Sequence, residues 1–127
     1  MEFYADVVRT ERGWAAHFIG GHNCLFRRNT LLEKGDTRYI VSTIGAYIPV
    51  EGEGCVKVNS FGYYETMIFG ALLENGYWDI NVEKEISPPD ECAWYIENLE
   101  QNSDNEANNM HEKMVGEISR LMETGDI

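Results

Sequence analysis

Adjacent arginines stand inside an apolar run, Cys24-Leu25-Phe26-Arg27-Arg28-Asn29-Thr30, in a chain of 127 residues whose formal net charge is −12. A guanidinium group set where a solvated surface is not expected needs an anion, and its planar fork matches the paired oxygens of phosphate or carboxylate. One of the 22 Asp and Glu side chains would serve; a bound phosphate is the sharper reading. Three tryptophans and seven tyrosines add flat faces on which a purine ring can stack. Arg27 and Arg28 together with this aromatic supply suit a nucleotide-like ligand, though neither feature is specific for one.

Other chemistry is thinly represented. His17, His22 and Cys24 are the only clustered metal-type ligands, but they lack a second well-spaced pair and match no zinc pattern. A turn histidine and a core thiol are the expected roles, with no metal and no cofactor. Glu65 could serve as a general base with His17 as its partner. No nucleophile elbow, phosphate loop or paired-carboxylate motif accompanies them, so binding without catalysis is the expectation.

Length bounds the rest. The chain fits one domain, residues 1–127, with a sheet portion at 1–86 and a helical portion at 87–125. No run reaches the roughly 18 apolar residues of a membrane span. Glu2 and Asp6 stand where a secretory leader would be basic and then apolar, which points to the cytoplasm. Cys24, Cys55 and Cys92, an odd and widely spaced set, read as reduced thiols. Charge divides unevenly: residues 1–50 hold six basic side chains against five acidic ones, and residues 51–127 hold four against 17. The acidic half repels nucleic-acid polymers, whose affinity comes largely from phosphate neutralisation. A small anion in a local basic pocket stays feasible, because screening limits the reach of distant charges to about 8 Å.

Elements that must position these residues follow from periodicity. Glu2–Arg9 alternates as a strand, Thr10–Gly13 reads as a turn, and Trp14–Ile19 as a second strand. Cys24–Leu32 is a third. Alternation there sends Leu25, Arg27 and Asn29 to one face and Cys24, Phe26, Arg28 and Thr30 to the other, so the two arginines serve different sides. Glu33–Asp36 is a hairpin turn before a strand at Thr37–Ile44, and 47–54 reads as a loop. Cys55–Val58 is a short strand, Phe61–Phe69 leans to strand over helix on its aromatic and β-branched content, and Asn75-Gly76 turns into a last strand at Tyr77–Ile86. Ser87-Pro88-Pro89-Asp90 has the form of a helix start, with Cys92, Tyr95, Ile96 and Leu99 on one face. Ser103–Glu106 has capping-box spacing and opens a second helix with a stripe of Met110, Met114, Ile118, Leu121 and Met122, which suits core or subunit packing. An α+β domain is expected: an N-terminal antiparallel β-sheet followed by two C-terminal α-helices.

Three segments, Cys24–Leu32, Ile40–Gly45 and Tyr63–Phe69, resemble the Thoeris anti-defence sponge family of small phage and prophage proteins. The similarity would span nearly the whole chain. It implies a non-enzymatic protein that sequesters cyclic ADP-ribose isomers made by TIR-domain defence proteins. It also implies pockets at the interface of a homo-oligomer (a dimer or a hexamer), and in some members separate sites for cyclic oligonucleotides. Matched residue by residue, Arg28 corresponds to a phosphate-contacting arginine of the family. Arg120 would supply the family's last-helix arginine, although the residues around it do not align; as a solvated helix-end residue it would leave half the clamp missing. Trp94, Tyr95, Asn98 and Asn102 have the chemistry to contact a base. Two other classes stay open: an acidic inhibitor that binds a host defence protein directly, and a small hydrolase or cyclase acting on nucleotides.

Overall fold

A computed structural model describes residues 6–13, 15–17, 23–48 and 54–127. The described elements are β1 (Val8–Glu11), β2 (Cys24–Lys34), β3 (Thr37–Tyr47), β4 (Tyr64–Glu74), β5 (Tyr77–Ile86), β6 (Tyr95–Ile96) and one helix, α1 (Ser103–Thr124). The first five strands form an antiparallel meander in chain order, and β6 pairs with β4. At the β4–β5 turn Asn75 and Gly76 both have positive φ, 51° and 84°, the geometry that matches the twist of a two-residue hairpin.

The middle of the sheet is buried on both sides. On one face Leu32, Val41 and Ile68 pack against Met114, Val115, Ile118 and Met122 of α1. On the other, Ile40, Ile44 and Phe69 are also buried, and the His17 ring lies 5.7 Å from that of Phe69. Burial on both sides explains the near-continuous apolar and β-branched run of β3. The C-terminus of α1 is closed by Gly125 in the left-handed region, with the Asp126 N–H on the Leu121 carbonyl at 2.8 Å. Its last turn holds no basic residue. Instead Lys34, from the β2–β3 hairpin, donates to the carbonyls of Met122 and Glu123 at 3.2 Å, placing a cation at the negative end of the helix dipole.

The pair of C-terminal helices is corrected to one. The stretch expected to be the first helix, from Pro88 to Leu99, is irregular apart from β6 and a single turn in which the Cys92 N–H meets the Pro89 carbonyl. Two physical effects defeat the local helix signal. Each residue before a proline is biased away from the helical region, and here that applies to Ser87 and again to Pro88. Register then adds a demand from β4: β5 pairs only as far as the Ile68–Ile86 partners, which leaves Tyr64–Met67 with an unpaired edge. Trp94-Tyr95-Ile96 fills that edge, its carbonyls accepting from Thr66 N–H and Tyr63 N–H, both at 2.8 Å. The other helix starts where the sequence indicates, but Asn102 occupies the N-cap without a side-chain bond, and the Ser103 hydroxyl accepts from the Glu100 N–H.

Other boundaries move less. Thr10 and Glu11 belong to β1, and the turn follows at Arg12-Gly13; residues 2–5 of the expected first strand lie outside the described residues. Of the expected strand at 14–19, Ala15–His17 are described and are not strand, and the rest lies outside. His22 and Pro49 lie outside as well. The segment 55–58 makes one isolated bridge, Tyr47 with Val56, and the strand expected at Phe61–Phe69 starts at Tyr64 and runs on to Glu74 as β4. Among the described residues no helix is long and apolar enough to cross a membrane.

Gly45 has a packing reason. It faces Tyr64 across β3 and β4, and a Cβ at Gly45 would stand 1.9 Å from the Tyr64 ring. That ring reaches on to α1, where its hydroxyl donates to Asp104 at 2.6 Å. Gly45→Ala is therefore expected to destabilise the fold by about 1–3 kcal/mol through overpacking, read as a lowered urea midpoint; an unchanged midpoint would disprove this contact.

Candidate functional site

Arg28 does not meet a vacant basic pocket; it sits in an ion-pair cluster on the flank of α1 that faces β1 and β2. One guanidinium nitrogen donates to Asn108 at 2.8 Å and another to Glu11 at 2.9 Å. The same Glu11 oxygen accepts from Arg9 Nε at 3.1 Å and Arg9 Nη2 at 2.6 Å, and Arg9 also reaches Glu112 at 2.6 Å. The other Glu11 oxygen accepts from the Thr30 hydroxyl at 2.9 Å. Burial pushes the Glu11 carboxyl up, but the bonds from Arg9, Thr30 and Arg28 outweigh it and hold the group below its ordinary range.

Behind this cluster runs a buried chain of hydrogen bonds. Thr30 Oγ1 is 2.7 Å from His111 Nε2, Thr43 Oγ1 is 2.7 Å from His111 Nδ1, and Thr43 lies 2.5 Å from Thr66 Oγ1. Proton directions follow from the outer end. An ionised Glu11 can only accept, so Thr30 donates its single hydroxyl proton outward. His111 must then donate from Nε2 and accept at Nδ1 from Thr43, which in turn accepts from Thr66. The imidazole is neutral: burial, with the Arg28 charge adding to it and Glu11 opposing, pushes its pKa down to about 3.

The opposite face of the sheet holds a second polar set. His17 Nε2 is 2.7 Å from Glu65 and its Nδ1 is 2.8 Å from the Ser42 hydroxyl, while Asn59 donates to the other Glu65 oxygen at 2.5 Å. The pairing of His17 with Glu65 that the sequence suggests is present, and Ser42 completes a Ser–His–Glu line. Ser42, however, has no exposed surface, and it lines none of the described cavities. A nucleophile must be reached to react, so this line pins the 15–17 segment to the sheet.

The remaining expected site residues are scattered. Arg27 is half-buried on the face away from Arg28, as alternation requires. Arg120 pairs with Glu117 on α1, roughly 12 Å beyond Glu112 at 1.5 Å per residue. Trp94 packs edge-on against Phe61 and Tyr95, and Asn102 is the helix N-cap. Of the expected base-contacting residues, Tyr95 and Asn98 line the largest described cavity, about 480 Å³ between β6 and α1, with Asn109, Met110 and Lys113 and the carboxylates of Glu97, Glu100 and Glu106. Among the described residues no cluster of three metal-type ligands occurs, and the three cysteines are free thiols.

Arg9, Glu11, Thr30, Asn108, His111 and Glu112 escaped the sequence reading. One signal existed: His111 is in phase with Met114 and Ile118 on the apolar stripe, where a polar ring needs partners on the facing strands. No family model, curated protein or solved structure matches the chain.

The His111 environment dictates a pH dependence. The unfolded chain takes up a proton at His111 below its ordinary pKa of 6.5, and the folded protein not until about 3. Stability from this group is therefore complete above pH 6.5 and is lost as pH falls, by on the order of 1.4 kcal/mol per pH unit. Urea titrations between pH 6.5 and about 5 should show that slope in the wild type and its loss in His111→Gln; equal slopes would contradict the buried neutral ring.

Proposed function

We propose that this protein binds a cyclic nucleotide signal of the cyclic ADP-ribose-isomer class and withholds it without cleavage, as a phage anti-defence sponge. The cavity between β6 and α1 carries the reading. Its volume of about 480 Å³ lies within the roughly 300–1,000 Å³ of small-ligand sites. Tyr95 offers a stacking face, Asn98 and Asn109 offer the paired donor and acceptor groups that a base edge needs, and Lys113 offers a cation. The Glu97, Glu100 and Glu106 carboxylates suit ribose hydroxyls and exocyclic amines and oppose phosphate.

Phosphates are therefore assigned to the arginine flank. Asn108 and Glu112 lean toward β1 and β2, whereas Glu106, Met110 and Lys113 line the cavity on the opposite flank of α1. The two halves lie on opposite flanks of α1, so the proposal includes a homo-oligomer with the site between subunits. The resemblance of Cys24–Leu32, Ile40–Gly45 and Tyr63–Phe69 to the sponge family supports the same reading. A second reading is favoured by the acidic cavity lining and the net charge of −12: direct binding of a basic surface on a host defence protein, with strong salt dependence.

Titration calorimetry against cyclic ADP-ribose isomers and cyclic di- and trinucleotides, followed by heat release and chromatography, tests the proposal. A sponge should bind at about nanomolar level, on the order of −12 kcal/mol, and release its ligand intact. Arg28→Ala should weaken binding by about 1.5–3 kcal/mol through the lost charge-assisted contact. Altered ligand would make the protein an enzyme. No binding across the panel would leave the protein–protein inhibitor.

A further inference from the structure

We infer that Arg9, Arg28 and Thr30 form an oxyanion cradle whose resident occupant is the chain's own Glu11 carboxylate, so that Glu11 sets the affinity of this flank for phosphate groups. The inference rests on the proposed function in one respect, that Arg28 is the residue meeting the ligand's phosphate.

The first support is the number and origin of the donors. A solvent-exposed ion pair ordinarily joins one cation to one anion with little net gain. Here a carboxylate whose side chain is 45% exposed accepts from three guanidinium nitrogens and a hydroxyl. The hydroxyl belongs to the sheet rather than to a mobile side chain, and its direction is set from behind. Thr66 donates to Thr43, Thr43 to His111 Nδ1, and His111 Nε2 to Thr30, so Thr30 has no acceptor for its proton except the anion in front. The buried chain thus presents a donor at the anion position whichever oxygen fills it.

The second support is charge. Arg9, Arg28, Glu11 and Glu112 sum to zero, and Glu112 contacts the same Arg9 nitrogen as Glu11. Withdrawing Glu11 removes one negative charge from this set and takes away the acceptor of Arg28 Nη2 and the Thr30 hydroxyl, a deficit that a phosphate group with several acceptor oxygens can meet. Glu11 is the last residue of β1, ahead of the turn at Gly13, so its side chain stands at the end of the strand.

The test uses the full chain and inorganic pyrophosphate as the probe, at fixed ionic strength. Glu11→Gln keeps the shape and removes the charge. It should bind pyrophosphate at least about tenfold more tightly than wild type, or about 1.4 kcal/mol, and the gain should vanish in Glu11→Gln combined with Arg28→Ala. A folded Glu11→Gln protein that binds no more tightly than wild type overturns the inference. Should the variant fail to fold, wild-type protein with nitrogen-15-labelled arginine gives the readout: pyrophosphate should move the Arg9 and Arg28 side-chain resonances and leave Arg38 in place, and no selective movement overturns it. Pyrophosphate binding by Glu11→Gln with no cyclic nucleotide bound by wild type would keep the cradle and remove the sponge. Cyclic nucleotides bound by wild type and by Glu11→Gln equally would keep the sponge and remove the gate.

Discussion

A neutral imidazole with no exposed surface, His111, stands between helix and sheet and sets how the two meet. Its two ring nitrogens point to hydroxyls on different strands, Thr30 on β2 and Thr43 on β3. Shifting α1 by one turn would bring an apolar side chain opposite those threonines and leave buried polar groups unpaired, at about 1–3 kcal/mol each. The rest of the helix stripe could not enforce the register so sharply. Met110, Met114 and Met122 are flexible and fill irregular space, so a methionine-rich contact tolerates sliding. Apolar burial drives α1 onto the sheet; the histidine decides where it stops.

A comparable fixing point lies on the opposite face at Glu65. Burial opposes its charge, but hydrogen bonds from His17 and Asn59 outweigh that and keep the carboxyl below its ordinary range. The Asn59 side-chain oxygen also accepts from the N–H groups of Phe61 and Gly62. Phe61 in turn meets Trp94 and Tyr95, whose strand pairs beside Glu65. One carboxylate thereby joins the 15–17 segment, the turn before β4 and the aromatic wall next to the cavity. Gly62 belongs to the same junction, because a Cβ there would come within 2.0 Å of the Ile96 carbonyl oxygen.

What could be read from the sequence was local. Alternation along β2 separates Arg27 from Arg28, the Asn75-Gly76 turn and the strands around it are legible, and the stripe from Met110 to Met122 marks α1. The helix expected at 88–99 was not legible as a strand, because the need that β6 meets belongs to β4, some thirty residues earlier. The site residues failed for the same reason. Glu11 and Thr30 are 19 positions apart, and Thr30 and His111 are 81 apart; no spacing rule links them. Arg28 was recognised as needing an anion, yet nothing in its neighbourhood indicated which of 22 carboxylates would supply it.

Helix α1 also separates the arginine cluster from the most acidic part of the chain. Its arginine side faces the first half of the sequence, where charge is nearly balanced, and its other side carries Glu106 and faces Glu97 and Glu100 across the cavity. An α-helix with its side chains is about 10–12 Å across, while the screening length at physiological salt is about 8 Å. The helix body therefore stands between the acidic cavity and the Arg9 and Arg28 side chains. Among the described residues, Glu11 and Glu112 are the carboxylates that touch these arginines, with the neutral His111 behind. Long-range charge governs which macromolecules approach a protein; the arginine cluster is shaped by the groups in direct contact with it.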